Sequence, residues 1–218
     1  IVLTTFIGIL AVFWSWDAIN YRGREYYIMV LLLQTGMLGV FMALDLFIFY
    51  IFWELVLIPM ALLIGIWGSE NRVFAAIKFF IYTLIGSLLM LIGIVATYQA
   101  YYNQTGVRTL NILQLQTGWD KGAYSSTFQI AVFAAFLIAF AIKIPMWPFH
   151  TWLPDAHVQA PTAASVILAA VMLKMGGYGF LRLAIPLFPI AADQAAWGIA
   201  FLGAIGVVYG ALVSLVQP

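Results

Sequence analysis

The stretch Leu46-Phe47-Ile48-Phe49-Tyr50-Ile51-Phe52-Trp53-Glu54-Leu55-Val56-Leu57-Ile58-Pro59-Met60, continuing apolar through to Trp67, carries one charge near its centre. About 20 consecutive apolar residues are what an α-helix needs to cross the hydrocarbon core of a bilayer. Working outward, the same hydropathy reading gives seven candidate spans: 1–16, 26–44, 46–67, 73–102, 128–144, 162–183 and 195–216. These runs lack the alternation of barrel strands. The predicted fold is therefore all-α and integral to a membrane, with seven visible transmembrane helices.

Composition agrees. Hydrophobic residues make up 65% of the 218 and charged residues only 8%, against roughly 25% charged in a soluble domain. A net charge of +1 without a basic cluster gives no support to a nucleic-acid partner. The absence of cysteine excludes disulfides and Cys-ligated clusters within these residues. No phosphate-binding loop, HExxH pair or nucleophile triad is found. The chain opens inside an apolar run and closes on Val216-Gln217-Pro218, so we expect a piece of a longer protein.

The segment from Lys143 to Ala160 stands apart, because Pro145, Pro148 and Pro154 interrupt it; a broken or partly re-entrant helix is expected there. The connection from Asn103 to Thr127 is the one long polar joint and should be exposed. Gly176, Gly177 and Gly179 are expected to serve helix packing. Arg22, Arg24 and Arg72 bias their loops toward the cytoplasm, which places the 103–127 connection outside.

Three charges carry the functional argument. Glu54 and Lys174 fall near the centres of their spans, and Lys143 ends the apolar run before the prolines. A charge at mid-bilayer costs about 2.5–3.5 kcal/mol on insertion scales. A lone buried acid tends to hold its proton and a lone buried amine to lose it; bringing them together favours both charged forms. Changing their separation therefore moves a proton. The alternative is a static interhelical ion pair. Lys78, early in its helix, is expected to snorkel to the interface, and Asp17 and Asp45 to cap or terminate helices. His150, His157 and Asp155 either relay protons from water or serve as hydrogen-bonding loop residues. Pro59, Pro145 and Pro148 break their helices beside the charges, and freed backbone groups at membrane depth must face protein or water.

The run Phe49-Tyr50-Ile51-Phe52-Trp53-Glu54-Leu55-Val56-Leu57-Ile58-Pro59-Met60 resembles the fifth helix of the antiporter-like subunits of bacterial respiratory complex I. The stretch Lys143-Ile144-Pro145-Met146-Trp147-Pro148-Phe149-His150-Thr151-Trp152-Leu153-Pro154-Asp155-Ala156-His157 is similar to their broken seventh helix. Gln159-Ala160-Pro161-Thr162-Ala163 and Leu173-Lys174-Met175-Gly176-Gly177-Tyr178-Gly179 continue the likeness, which is greatest to the M (chain 4) branch. The resemblance implies about fourteen helices in two inverted five-helix repeats, of which this chain would hold the third to the ninth. Residues 26–184 would then form the first repeat and 195–218 the start of the second, all in one membrane domain. It further implies that Glu54 pairs with Lys143 and that Lys174 passes protons toward a second half-channel, whose acid lies beyond Pro218. By the same resemblance no cofactor sits on this chain: NADH, flavin, iron–sulfur clusters and quinone belong to partner subunits of the membrane and redox arms. A proton-translocating subunit of NADH:quinone oxidoreductase is the leading expectation. An Mrp-type cation/proton antiporter subunit and a non-pumping scaffold are the alternatives.

Overall fold

The computed structural model describes residues 1–216, and they are helical nearly throughout. In chain order the elements are α1 (Val2–Ser15), α2 (Gly23–Met42), α3 (Leu46–Leu55), α4 (Leu57–Trp67), α5 (Arg72–Thr105), α6 (Ile112–Gln116), α7 (Ser126–Lys143) and α8 (Trp152–Gln159). They are followed by α9 (Thr162–Leu187) and α10 (Pro189–Val216). Six helices are long and apolar enough to cross a membrane, counting α3 and α4 together, and α1 is a shorter apolar helix. The predicted spans are present with shifted ends; α5 reaches Thr105 and at 34 residues is about 51 Å long.

Short joints make consecutive helices antiparallel neighbours, and polar side chains fasten those joints. Trp67 Nε1 donates to the Tyr21 carbonyl at 2.8 Å, tying the end of α4 to the start of α2. Asp45 caps α3 as expected, its carboxylate accepting the Phe47 and Ile48 amides at 2.9 and 3.2 Å. That satisfies two of the four amides that every helix start leaves without an internal partner.

The long connection between α5 and α7 is mostly exposed, as expected, but it contains the short helix α6 and is fastened at a few buried residues. Asn111 caps α6 as Asp45 caps α3, accepting from the Leu113 and Gln114 amides. The two caps sit on a single β-bridge. Within it the Leu46 amide donates to Leu110 and the Ile112 amide to Leu44, both at 2.9 Å. Ile112, Leu115 and Tyr124 are buried. The apolar residues inside this polar segment thus pin it over the end of the bundle.

The centre of the bundle is the α5–α7 pair. Gly93 allows the close approach: a Cβ there would lie 2.8 Å from the Phe136 ring, so only the smallest residue lets the two helices meet at this point. Gln129, almost wholly buried on α7, is satisfied at both ends. Its Nε2 donates to the Tyr124 carbonyl and its Oε1 accepts the Ile190 amide at the start of α10. Beyond that anchor α10 is largely uncovered; Trp197 is 87% exposed.

Candidate functional site

Lys143 is the last residue of α7 and only 3% exposed. The carbonyls at a helix end carry partial negative charge that favours a cation, but here they are already occupied. The Phe140 carbonyl accepts the Ile144 amide and the Ala141 carbonyl accepts the Met146 amide, each at 2.8 Å. The carbonyl of Ile142, left without its helical donor because Pro145 has no N–H and the Met146 amide turns to Ala141 instead, accepts the indole N–H of Trp152 at 2.9 Å. What remains for the Lys143 ammonium is the face of Trp53, 5.2 Å from the ring centroid. A cation over an indole face is held by the ring quadrupole more strongly when water is excluded. Trp53 is itself buried and wedged between Phe49 and Phe140.

Glu54 follows Trp53, the residue whose ring lies under the Lys143 ammonium, on α3. Glu54 and Lys143 do not form an ion pair: those among the described residues are Arg22–Glu25 and Lys78–Asp155. Glu54 Oε1 is buried without a hydrogen-bond partner, and an orphaned buried oxygen is rare enough to require a reason. Tyr50 stands one turn before Glu54 on the same helix. The arrangement is an acid and an amine near each other, neither neutralised by direct contact, with an aromatic face beside them.

The helix interruption beside Glu54 falls at Val56, between α3 and α4, next to the Leu55 carbonyl that Pro59, four residues on, cannot serve. Pro59 occupies the first turn of α4, where its missing N–H costs nothing. The break expected at Pro145 and Pro148 is present, since α7 ends at Lys143 and α8 begins at Trp152.

Lys174 falls at the middle of the apolar span Thr162–Leu187, the depth expected of it, and the described residues leave its side chain uncovered. It is exposed and lines an open cleft of about 680 Å³ with Ile144, Tyr178 and Leu181. The cleft reaches the residue that follows Lys143. Lys174 Nζ donates to the Ala169 carbonyl, five residues back, at 2.6 Å. That reach matches the π-helical turn Leu168–Met172; a second π turn, Phe180–Ala184, follows. Nothing in the residue types marked either turn. The neighbouring glycines serve packing: a Cβ at Gly176 would meet Ile144 at 2.7 Å and one at Gly179 would meet the Phe140 ring at 2.4 Å, whereas Gly177 faces open space.

Lys78 does not snorkel. Its Nζ lies 2.6 Å from Asp155 Oδ2 on α8, so Asp155 is a paired helical residue rather than a free loop acid. Nδ1 of His157 is hydrogen-bonded to the Ser165 hydroxyl on α9. His150 Nδ1 is buried without a partner, and its ring packs edge-on against Tyr209 of α10 at 5.2 Å. The structure therefore brings Glu54 and Lys143 to one place and Lys174 to a cleft that adjoins it. The two histidines and Asp155 are spread along 150–157. Trp53, Trp152 and Tyr50, which complete the surroundings of the central pair, escaped the sequence reading. Their adjacency to Glu54 and to the prolines was the one available signal.

A family model described as "NADH:quinone oxidoreductase/Mrp antiporter, TM" matches residues 43–218. NADH-quinone oxidoreductase subunit M of Rhodobacter capsulatus is 48% identical across 100% of this chain and 43% of its own length. Subunit M of Escherichia coli K12 is 44% identical with the same coverage. NADH-ubiquinone oxidoreductase chain 4 of Chondrus crispus is 46% identical, with 42% of its length covered. The chain thus spans less than half the length of the curated relatives it matches. Among solved structures, a chain of respiratory complex I from Thermus thermophilus superposes with a TM-score of 0.82 at 32% identity, over 99% of this chain and 43% of that one. A chain of the archaeal membrane-bound sulfane sulfur reductase superposes at 0.84 with 25% identity, over 99% of this chain and 35% of that one.

Proposed function

Because this chain belongs to the NADH:quinone oxidoreductase/Mrp antiporter family of multi-pass membrane proteins, we propose that it is part of a proton-translocating antiporter-like subunit, of the M type, in the membrane arm of bacterial NADH:quinone oxidoreductase. Its partners are the neighbouring membrane-arm subunits. NADH, flavin, iron–sulfur clusters and quinone reside in other subunits, and this chain moves protons in response to their chemistry. Residues 26–184 make up the first repeat and 195–218 open the second.

The observation that carries this reading is Lys143, buried over the ring of Trp53, whose neighbour Glu54 forms no ion pair with it among the described residues. Burial favours the neutral amine, and an approaching carboxylate favours the ammonium. A small change in the Glu54–Lys143 separation, imposed by a neighbouring subunit, therefore loads or unloads a proton. The cleft shared by Ile144 and Lys174 offers the next station. The Mrp-type antiporter reading has less behind it, since relatives 44–48% identical bear quinone oxidoreductase names.

The test is proton uptake per electron pair in the reconstituted complex carrying Glu54→Gln or Lys174→Ala, recorded beside quinone reduction. Assembly with a lowered stoichiometry is expected. Normal stoichiometry in both variants would sink the assignment.

A further inference from the structure

The short helix α8 lies along α5 in an antiparallel register that four contacts define. The Asn71 amide donates to Gln159 Oε1 at 3.0 Å, and the Lys78 ammonium meets Asp155 at 2.6 Å. Phe79 packs on Trp152 with ring centroids 5.4 Å apart, and Thr151 Oγ1 donates to Tyr82 Oη at 3.2 Å. As the numbers rise on α5 they fall on α8. The Trp152 indole in this line is the group that takes the Ile142 carbonyl, one residue before Lys143. The chain of contact therefore runs from Lys78 and Asp155, through one turn of α8, to the backbone that carries the central amine.

The geometry points to Lys78 and Asp155 as positioning residues for Lys143: their ion pair seats α8 so that Trp152 holds the end of α7, and with it the Lys143 side chain, over Trp53. The inference rests on the proposed proton-translocating role of Lys143. Between Arg72 and Thr105, Lys78 is the one residue that bears a charge, and Asp155 stands in the first turn of α8, where the helix end favours an acid. The pair is partly open to solvent, with side chains 26% and 40% exposed, so its worth as bulk stabilisation is small. Its place in the line of contacts gives it a directional use instead: α8 has eight residues, too few to hold a helix without tertiary contacts.

The test uses the whole assembled complex in nanodiscs and two readouts, amide hydrogen exchange over 152–159 and protons taken up per electron pair. Lys78→Met and Asp155→Asn are each expected to speed exchange in 152–159 by about two- to fivefold and to lower the proton stoichiometry. Should the methionine variant fail to assemble, Asp155→Asn reads the same contact with the side-chain shape kept. Lys78→Arg keeps the charge and the pair but gives up no proton at working pH, and is expected to preserve both readouts. Unchanged exchange in Lys78→Met and Asp155→Asn would overturn the clamp. Faster exchange with normal stoichiometry would overturn its link to Lys143. Lost stoichiometry in Lys78→Arg with normal exchange would make Lys78 a proton carrier and overturn the positioning role. If Lys143→Met itself leaves stoichiometry normal, the parent reading fails while the exchange result still stands.

Discussion

Replacing Trp152 with Phe removes one N–H from a fully buried site. Trp152 Nε1 is the donor at 2.9 Å to the Ile142 carbonyl, which Pro145 and the turn at Met146 leave without a helical partner. A buried acceptor stripped of its donor costs about 1–3 kcal/mol. The phenyl ring retains the packing against Phe79, so most of the loss falls on the hydrogen bond. Expressed as a local opening equilibrium, that range is roughly 5- to 150-fold. These 218 residues contain no cysteine, so a thiol introduced among them and read by peptide mapping is a clean reporter. Ala156, fully buried one turn after Trp152, is the place for it. In the Ala156→Cys background, Trp152→Phe should speed maleimide labelling of this subunit by a factor in that range, with the complex still assembled. Equal labelling rates within twofold would refute the reasoning, because the Ile142 carbonyl would then not depend on the indole.

Two further outcomes follow from the packing. Asp45→Ala should lower the thermal stability of the complex by about 0.5–2 kcal/mol through loss of the cap, while Asp45→Asn, which still accepts the Phe47 and Ile48 amides, should recover most of it; equal losses in both would contradict the capping role. Gly179→Ala drives a methyl against the Phe140 ring and should cost about 1–3 kcal/mol by overpacking, seen as less assembled complex in membranes. Gly177→Ala faces open space and should assemble normally, so the contrast between the two is the measurement.

The helices were legible because a bilayer demands length and apolarity, which single residues report. Glu54 and Lys143 were legible for the same reason: each is a charge in a run that excludes charge. Asp45 could be read as a cap from its place before an apolar run. Contacts between distant elements could not be read. Lys78 and Asp155 are 77 positions apart, and taken alone a lysine seven residues into a helix looks free to snorkel. Lys174 shows the same limit, since its hydropathy context is that of a span while its exposure depends on which neighbours cover that face of α9. The break at Val56 could be read from Pro59, because a proline interrupts the helix at the carbonyl four residues before it. The π turns around Lys174 left no mark in residue type.

The central claim is that the Lys143 amine itself takes up and gives up a proton. Arginine at that position keeps the positive charge over Trp53 but stays protonated at any working pH, and methionine removes the charge at similar length. The measurement is proton uptake per electron pair in the reconstituted complex carrying Lys143→Arg, with Lys143→Met beside it. The account predicts that both variants assemble, reduce quinone and translocate fewer protons per electron pair than the wild type. Full stoichiometry in Lys143→Arg would contradict it, because a fixed charge would then serve where a titrating amine is required.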